Sequence, residues 1–138
     1  MAKVFVDSAF YVAMIDERDD LHAVAQTAFT RLVALPDTSF VTSDLVLAEM
    51  LTYFSRYEER SRAVAAELAT RVLGDPNVSV ISFSRDLLIR SIGLYATRLD
   101  KQYSIADCSS MIICGDNEIR QILTHDHDFV REGFEILF

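Results

Sequence analysis

Near the start of the chain, Lys3–Phe10 reads KVFVDSAF, and this stretch decides the fold. Its apolar first part, Lys3–Asp7, predicts a short buried strand, and a helix is expected to begin close behind it, near Ser8. A strand joined to a helix by so short a connection is typical of an α/β domain with parallel strands. Asp7 ends the strand, which places a carboxylate where ligands of such domains bind.

The rest of the chain continues this alternation. Strands are predicted at 39–43, 78–83, 121–124 and 134–138, and helices at 20–35, 43–57, 61–73, 84–99 and 104–114, the last closing at Gly115. The residues expected on the inner helix faces are Leu21, Val24, Ala25, Ala28, Phe29, Leu32 and Val33, then Val46, Leu47, Met50, Leu51 and Phe54, then Val64, Leu68 and Val72, and finally Leu88, Ile92, Tyr95 and Leu99. We therefore expect one α/β domain, 1–138, around a mostly parallel sheet.

The charge of the chain restricts its mode of binding. The 138 residues are 51% apolar, which is enough for a core, and 21 acids against 13 bases give a formal net charge of −8. A protein that binds nucleic acid through its own charge usually offers a basic face, so this total argues mildly against that class. Acids gathered in one place can instead bind divalent cations, which then receive phosphate.

Location and redox state follow from the apolar segments. No stretch reaches the roughly 20 uncharged apolar residues of a membrane span, and the start does not read as a signal peptide. We therefore expect a cytoplasmic protein without a membrane partner. Cys108 and Cys114 lie six residues apart in an apolar segment, which fits neither a zinc motif nor a redox pair, so both are expected to be reduced core thiols.

Four acids stand out from their surroundings. Asp7, Glu49 and Asp107 are each the only charged residue in a segment that otherwise reads as core, and Asp126 lies just past the predicted strand 121–124. A buried carboxylate requires a proton, a basic partner or a cation. If the four converge, a divalent cation is the best partner, because no Lys or Arg lies within these segments. An all-oxygen set suits Mg²⁺ or Mn²⁺ rather than zinc and is suited to phosphodiester hydrolysis.

Simpler roles remain open for each of these acids. The strand-end acid can cap the first helix, and Ser104 with Asp107 matches a capping box. Glu49 can pair with an arginine, while Asp126 or Asp128 can hold a turn through Asx hydrogen bonds.

The segment His125–Asp128 alternates imidazole and carboxylate and at first resembles a metal box. In an extended segment neighbouring side chains point in opposite directions, so His125 and His127 are expected to point away from Asp126 and Asp128. We interpret the histidines as turn or surface residues and Asp126 as one arm of a larger site. Asp128 is expected to cap the turn 129–134, with metal ligation as its less favoured role.

Four motifs in order carry a family resemblance. They are VFVDSAF (Val4–Phe10), TSDLVLAEML (Thr42–Leu51), YSIADCSSM (Tyr103–Met111) and ILTHDHDF (Ile122–Phe129). Together they resemble the PIN-domain ribonucleases, and most of all the VapC-type toxins of toxin–antitoxin pairs. The resemblance implies a three-layer α/β/α sandwich with a mostly parallel sheet, and a Mg²⁺- or Mn²⁺-dependent endoribonuclease.

The resemblance also implies roles for individual residues. Asp7, Glu49, Asp107 and Asp126 match the acidic quartet of the family, which holds one or two ions at the carboxyl end of the sheet. Asp7 and Asp107 would be direct ligands, and Glu49 and Asp126 would complete a second ion's site or orient water. Ser8 and Thr124 match small hydroxyl positions that hold carboxylates or a phosphate.

The same resemblance implies an RNA substrate, a cognate antitoxin protein and a homodimer. The helices at 43–57 and 61–73 are candidate contact surfaces. The basic residues that are candidates for phosphate contacts are Arg56, Arg60, Arg62, Arg85, Arg90, Arg98 and Lys101.

Two other functions share this architecture. A metal-dependent phosphatase or phospho-acceptor domain also uses strand-end acids, but it needs a lysine after a late strand, where this chain has His125. A catalytically inactive PIN-like binding module is the second alternative, and the intact set of isolated acids argues against it.

Overall fold

The computed structural model describes residues 2–138, in which five strands form a single sheet. The strands are β1 (Ala2–Val6), β2 (Thr38–Ser43), β3 (Val78–Ile81), β4 (Gln121–Leu123) and β5 (Glu135–Ile136). Their order in the sheet is β3-β2-β1-β4-β5, and every neighbouring pair is parallel. The predicted parallel sheet is confirmed, although the strands predicted at 78–83 and 134–138 are shorter than expected.

Helices cover both sides of this sheet in a three-layer α/β/α sandwich, as expected. Those in residues 2–138 are α1 (Ser8–Ile15), α2 (His22–Val33), α3 (Asp44–Phe54), α4 (Glu59–Gly74), α5 (Arg85–Ala96), α6 (Ile105–Asp116) and α7 (Asp128–Arg131). Each of the parallel strand pairs requires a crossover, which the helices provide. The short helix α7 was not predicted, since its residues were expected to form a turn.

The centre of the sheet is fully apolar. Phe5 in β1 is in register with Val41 of β2 on one side and with Ile122 of β4 on the other, and all three are buried. The chain adds β2 and β3 on one side of β1 and only later adds β4 and β5 on the other. The side on which strands are added therefore changes between β1 and β4. At such a switch point, a crevice opens at the carboxyl ends of the strands, and α/β sheets bind their ligands there.

The predicted buried face of α5 is wrong. Leu99, Ile92 and Tyr95 are 76%, 52% and 48% exposed, whereas Leu87 and Ser91 are buried. Ser91 is accommodated in the interior because its hydroxyl donates to the Leu87 carbonyl at 2.7 Å, so no polar group is left without a partner. The helix therefore packs through a stripe that a hydrophobicity pattern does not reveal.

Small residues shift the buried stripe of α4 in a similar way. Ala65, Ala69 and Val72 are buried, while Val64, which was predicted to lie inside, is exposed. Alanine lets a neighbouring helix approach closely, so the larger Val64 is left outside. Further predicted inner residues that are exposed are Val24, Phe29, Val33 and Leu51.

Helix α6 does not close at Gly115 as predicted. Asn117 is its C-cap residue, and the side-chain amide of Asn117 donates to the Ile113 carbonyl at 2.8 Å. Glu118 then adopts a left-handed conformation, with φ of 55°, that takes the chain out of the helix. On the same helix, Cys108 and Cys114 are buried free thiols, as expected. Within residues 2–138, every helix is too short or too polar to span a bilayer.

Candidate metal centre

Asp7 lies at the carboxyl end of β1, in the crevice beside β4. Its backbone N–H donates to the Leu123 carbonyl at 3.2 Å, which continues the pairing of the two strands by one residue. Asp7 is the N-cap residue of α1, but its side chain makes no capping hydrogen bond. Instead, Oδ2 of Asp7 accepts a 2.8 Å hydrogen bond from the hydroxyl of Thr124. The Asp7 carboxylate therefore does not cap α1; it binds the Thr124 hydroxyl instead.

Glu49 reaches the same region from α3. Ser43 begins this helix, and its side chain accepts from the Val46 N–H at 3.1 Å, a standard N-cap. Glu49 is half-buried one turn further along, where its Oε1 accepts a hydrogen bond from the Ser8 hydroxyl. The partner of Glu49 is thus a hydroxyl at the start of α1 and not the arginine that the simpler reading required.

Asp107 occupies the first turn of α6, where the predicted capping box is present. The Ser104 hydroxyl accepts from the Asp107 N–H at 3.0 Å, and the Ser104 N–H donates to Asp107 Oδ2 at 2.9 Å. This box fixes the carboxylate against the helix end, with Asp107 half-buried. The capping role and a site role are compatible, because the box orients the side chain without removing it from the crevice.

Asp126 and Asp128 meet Asp107 from the other side. Asp126 Oδ1 accepts from the Asp128 N–H at 2.9 Å, so the Asx turn predicted for one of the two acids is made by Asp126. Asp107, Asp126 and Asp128 each offer a carboxylate oxygen, and these oxygens lie within 4.8 Å of one another. Asp128 also forms an ion pair with Arg131. The Asp128 side chain was expected to cap the turn 129–134, but it pairs with Arg131 instead.

The histidines do not contribute to this group of three acids. His125 is exposed, and its Nδ1 is 2.8 Å from the Phe138 carbonyl oxygen. His127 is also exposed, and its ring contacts that of His125 with centroids 5.8 Å apart. The two rings therefore lie beside each other at the surface, as predicted, while the carboxylates of Asp126 and Asp128 gather with Asp107.

Thr124 connects two of the acids. While its hydroxyl donates to Asp7, the same oxygen accepts from the Asp126 N–H at 3.2 Å. Thr124 is fully buried, and its hydrogen bond to Asp7 is shielded from water. The residues Ser8 and Thr124 thus each hold one carboxylate of the predicted quartet.

The electrostatics of the site favour a bound cation. Burial raises the pKa of Asp7 from 3.8 to about 7, against the hydrogen bond from Thr124, and the charges of Glu49 and Asp107 raise it further. Burial also raises the pKa of Asp107, to about 6, with Asp126 and Glu49 contributing in the same direction. These mutual effects place the four predicted acids in one electrostatic group, in which a positive charge would relieve the repulsion.

The donor set fits a hard divalent cation. Asp107, Asp126 and Asp128 offer carboxylate oxygens within 4.8 Å of one another, and such oxygens are the ligands of Mg²⁺ and Mn²⁺. Asp7 and Glu49 are not part of this group of three and are coupled to it through their charges. Of the predicted quartet, Asp107 and Asp126 belong to this group, and Asp128, whose N–H forms the Asx turn with Asp126, is its third member. Among the candidate phosphate contacts, Arg90, Arg98 and Lys101 are engaged in ion pairs with Asp116, Glu132 and Asp100.

Comparison with known proteins identifies the family. The sequence profile of the PIN domain matches residues 4–135. No curated protein sequence matches the chain at a significant level. The crystal structure of VapC20 from Mycobacterium tuberculosis, described as a Sarcin-Ricin loop cleaving toxin, is similar with a TM-score of 0.82 and 25% identity over 96% of each chain.

Two more distant structures share the fold. VapBC2 from Rickettsia felis, solved with a DNA fragment from its promoter, has a TM-score of 0.66 and 14% identity, covering 97% of this chain and 96% of that one. FitAcB from Neisseria gonorrhoeae has a TM-score of 0.64 and 15% identity, covering 98% of this chain and 96% of that one.

Proposed function

The chain belongs to the PIN-domain family, and on that premise we propose that it is a Mg²⁺- or Mn²⁺-dependent endoribonuclease, the toxin of a type II toxin–antitoxin pair. The observation that carries the proposal is the convergence of three carboxylate oxygens, from Asp107, Asp126 and Asp128, within 4.8 Å. Like charges so close together repel one another, and a divalent cation bound among them relieves this repulsion. The likeness to VapC20 supports RNA as the substrate class.

In the proposed site, Asp7, Asp107, Asp126 and Glu49 hold the cation, and Asp128 adds a further oxygen. A divalent cation in such a set polarises a phosphate oxygen and lowers the pKa of water. The Ser104 N–H fixes the Asp107 carboxylate, and the Thr124 hydroxyl fixes that of Asp7. The Ser8 hydroxyl orients Glu49 for binding the cation or for accepting a proton from the attacking water.

The decisive experiment compares three proteins on total cellular RNA with Mg²⁺, Mn²⁺ or EDTA. Wild type is expected to cleave with either cation and not with EDTA, and Asp107→Asn is expected to lose cleavage by at least about 100-fold. The matched control is Asp86→Asn, because Asp86 is likewise an acid in the first turn of a helix but lies on the exposed surface of α5. Cleavage that survives EDTA, or equal cleavage by wild type and Asp107→Asn, would refute the proposal.

An antitoxin protein is the proposed partner. The structural neighbours include the VapBC2 complex, which supports a partner of this kind. Helices α3 and α4 are the proposed contact surfaces, and they expose Tyr53, Val64 and Leu73 at 45%, 42% and 60%. The product of a short reading frame next to this gene is expected to form a complex with the protein and to stop RNA cleavage.

The contact surface is tested by one pair of variants. Val64→Glu on α4 is expected to weaken the complex, while Ile92→Glu, at an equally exposed apolar position on α5, leaves it intact. If Ile92→Glu weakened the complex and Val64→Glu did not, α4 would not be the contact surface. Light scattering of the isolated protein tests the proposed homodimer.

A further inference from the structure

A second group of polar side chains joins the helices that carry Asp107 and Asp128. The Glu132 carboxylate, just after α7, accepts from the Tyr103 hydroxyl at 2.9 Å through Oε2. Arg98, in the turn after α5, donates to Glu132 Oε1 from Nη2 at 3.0 Å and to Oε2 from Nε at 3.2 Å. We call this group, Arg98, Tyr103 and Glu132, the clamp. Its bonds join three separate segments of the chain.

The clamp stands in a fixed relation to the acids. Tyr103 precedes Asp107 by four residues, and Glu132 follows Asp128 by four, so two of the three clamp residues are close in sequence to acids of the group. Tyr103 also immediately precedes Ser104, which begins α6 and fixes the Asp107 carboxylate. The hydrogen bond between Tyr103 and Glu132 therefore ties the start of α6 to the end of α7.

Something must hold these two elements together, because they present like charges to each other. Asp107 comes from α6, whereas Asp126 lies just before α7 and Asp128 is the first residue of α7, a helix of only one turn. Phe129, near the start of α7, anchors the helix in the core by being fully buried. The clamp supplies a second anchor at the other end of α7.

Two of the three clamp residues, Tyr103 and Glu132, are largely buried. Tyr103 is 4% exposed, and the Glu132 side chain is 16% exposed. A charge-assisted and nearly bidentate arginine–carboxylate pair in such a setting has a defined geometry as well as a favourable energy. Arg98 also neutralises Glu132, so that the clamp adds no net negative charge near the acids.

We infer that Arg98, Tyr103 and Glu132 are positioning residues of the metal centre, which set the distance between Asp107 and the pair Asp126 and Asp128. This inference rests on the proposed metal-dependent nuclease and extends it to residues that touch neither the cation nor RNA. Outer residues that orient metal ligands typically change metal affinity when they are replaced. The clamp would act in the same way through two helix ends.

Two conservative variants test the inference. Tyr103→Phe removes only the hydroxyl and keeps the ring in the core, and Arg98→Lys keeps the charge but loses the paired geometry. The control is Arg90→Lys, since Arg90 forms a bidentate ion pair with Asp116 that joins α5 to the far end of α6. Titration calorimetry with Mn²⁺ gives the affinity of each cation-free protein, and urea unfolding gives its stability.

We expect both clamp variants to bind Mn²⁺ about tenfold more weakly than wild type, and Arg90→Lys to bind it as wild type does. A role in stability alone would lower the urea midpoints and leave the Mn²⁺ affinity of the folded variants unchanged, which would overturn the inference. If wild type itself bound no Mn²⁺, the proposed metal centre would fail and the clamp with it. Wild-type binding with unaltered affinity in the clamp variants would refute the clamp alone.

Discussion

The hydroxyl of Thr124 donates to Asp7 Oδ2 at 2.8 Å, although the two residues are 117 positions apart in the sequence. The bond crosses from the end of β4 to the end of β1 and, in the buried crevice, it stabilises the charged form of Asp7. We predict that Thr124→Val, which keeps the shape and removes the hydroxyl, weakens Mn²⁺ binding about tenfold. It should also lower the free energy of unfolding by about 1–3 kcal/mol. Calorimetry and urea unfolding measure the two effects.

The control for this variant is Thr42→Val. Thr42 is equally buried at the end of β2, but its hydroxyl donates to the Val6 carbonyl at 2.9 Å and not to a carboxylate. It should lose a similar amount of stability and keep its Mn²⁺ affinity. Equal losses of affinity in the two variants would show that Thr124 acts only through the packing of the sheet.

Ser8 is predicted to orient Glu49. Ser8→Ala removes the hydroxyl that donates to Glu49 Oε1, so the glutamate is free to rotate, and we expect the rate of RNA cleavage to fall about tenfold. Ser8→Thr retains a hydroxyl and should recover most of the rate. Ser61→Ala is the control, because Ser61 makes the same kind of bond to Glu58 Oε1 on the exposed surface. If Ser8→Ala cleaved RNA as fast as Ser61→Ala, Glu49 would not depend on this contact.

Most of the fold and four of the crevice acids follow from local sequence. The apolar run that ends at Asp7 has the length and isolation of a buried strand, and each of the lone acids marks a segment that otherwise belongs to the core. Burial of a carboxylate is costly, so an acid in such a segment signals a site wherever several segments converge. This physical rule, together with the family resemblance, selects Asp7, Glu49, Asp107 and Asp126 as candidates, and of these the structure brings Asp107 and Asp126 within 4.8 Å of each other.

What the sequence left out depends on geometry between segments. The buried face of α5 contains Ser91, which a hydrophobicity pattern assigns to solvent. Its burial is tolerated because the Leu87 carbonyl accepts a hydrogen bond from the Ser91 hydroxyl. Asp128 joins Asp107 and Asp126 because the Asx turn at Asp126 leads directly into α7. The extended segment that was expected does not include this turn. Tyr103 and Glu132 showed no signal, since their pairing requires two helix ends to be already in place.

The stability of the cation-free protein should fall as the pH rises. Burial raises the pKa of Asp7 from 3.8 to about 7, so between these values the folded state holds a proton that the unfolded chain has released. Folding is then favoured at low pH, and this contribution is lost as the pH increases through 7. The loss from Asp7 is on the order of 4 kcal/mol between about pH 4 and pH 8. Asp107, whose pKa is raised to about 6, acts in the same direction.

Urea unfolding in EDTA from pH 5 to pH 8 measures this dependence. The Asp7→Asn side chain is neutral at every pH, so this variant should show a flatter dependence of stability on pH. The control Asp86→Asn, at an exposed position, should show the same dependence as wild type. Mn²⁺ is expected to restore the stability of wild type at pH 8 and to have little effect at pH 5, because the cation competes with protons for the carboxylates. A stability that increases between pH 5 and pH 8 in EDTA would contradict the assignment of Asp7 as a buried acid.

Asp128 and Arg131 should have opposite effects on cation binding. Asp128 offers an oxygen to the group formed with Asp107 and Asp126, but it is also paired with Arg131, whose side chain competes with a cation for the same carboxylate. We predict that Asp128→Asn weakens Mn²⁺ binding about tenfold and that Arg131→Gln strengthens it, since the second variant frees the carboxylate and removes a nearby positive charge. Calorimetry on the two variants measures both changes. If Asp128 served only the turn and the ion pair, both variants would lose stability to a similar extent and bind Mn²⁺ as wild type does.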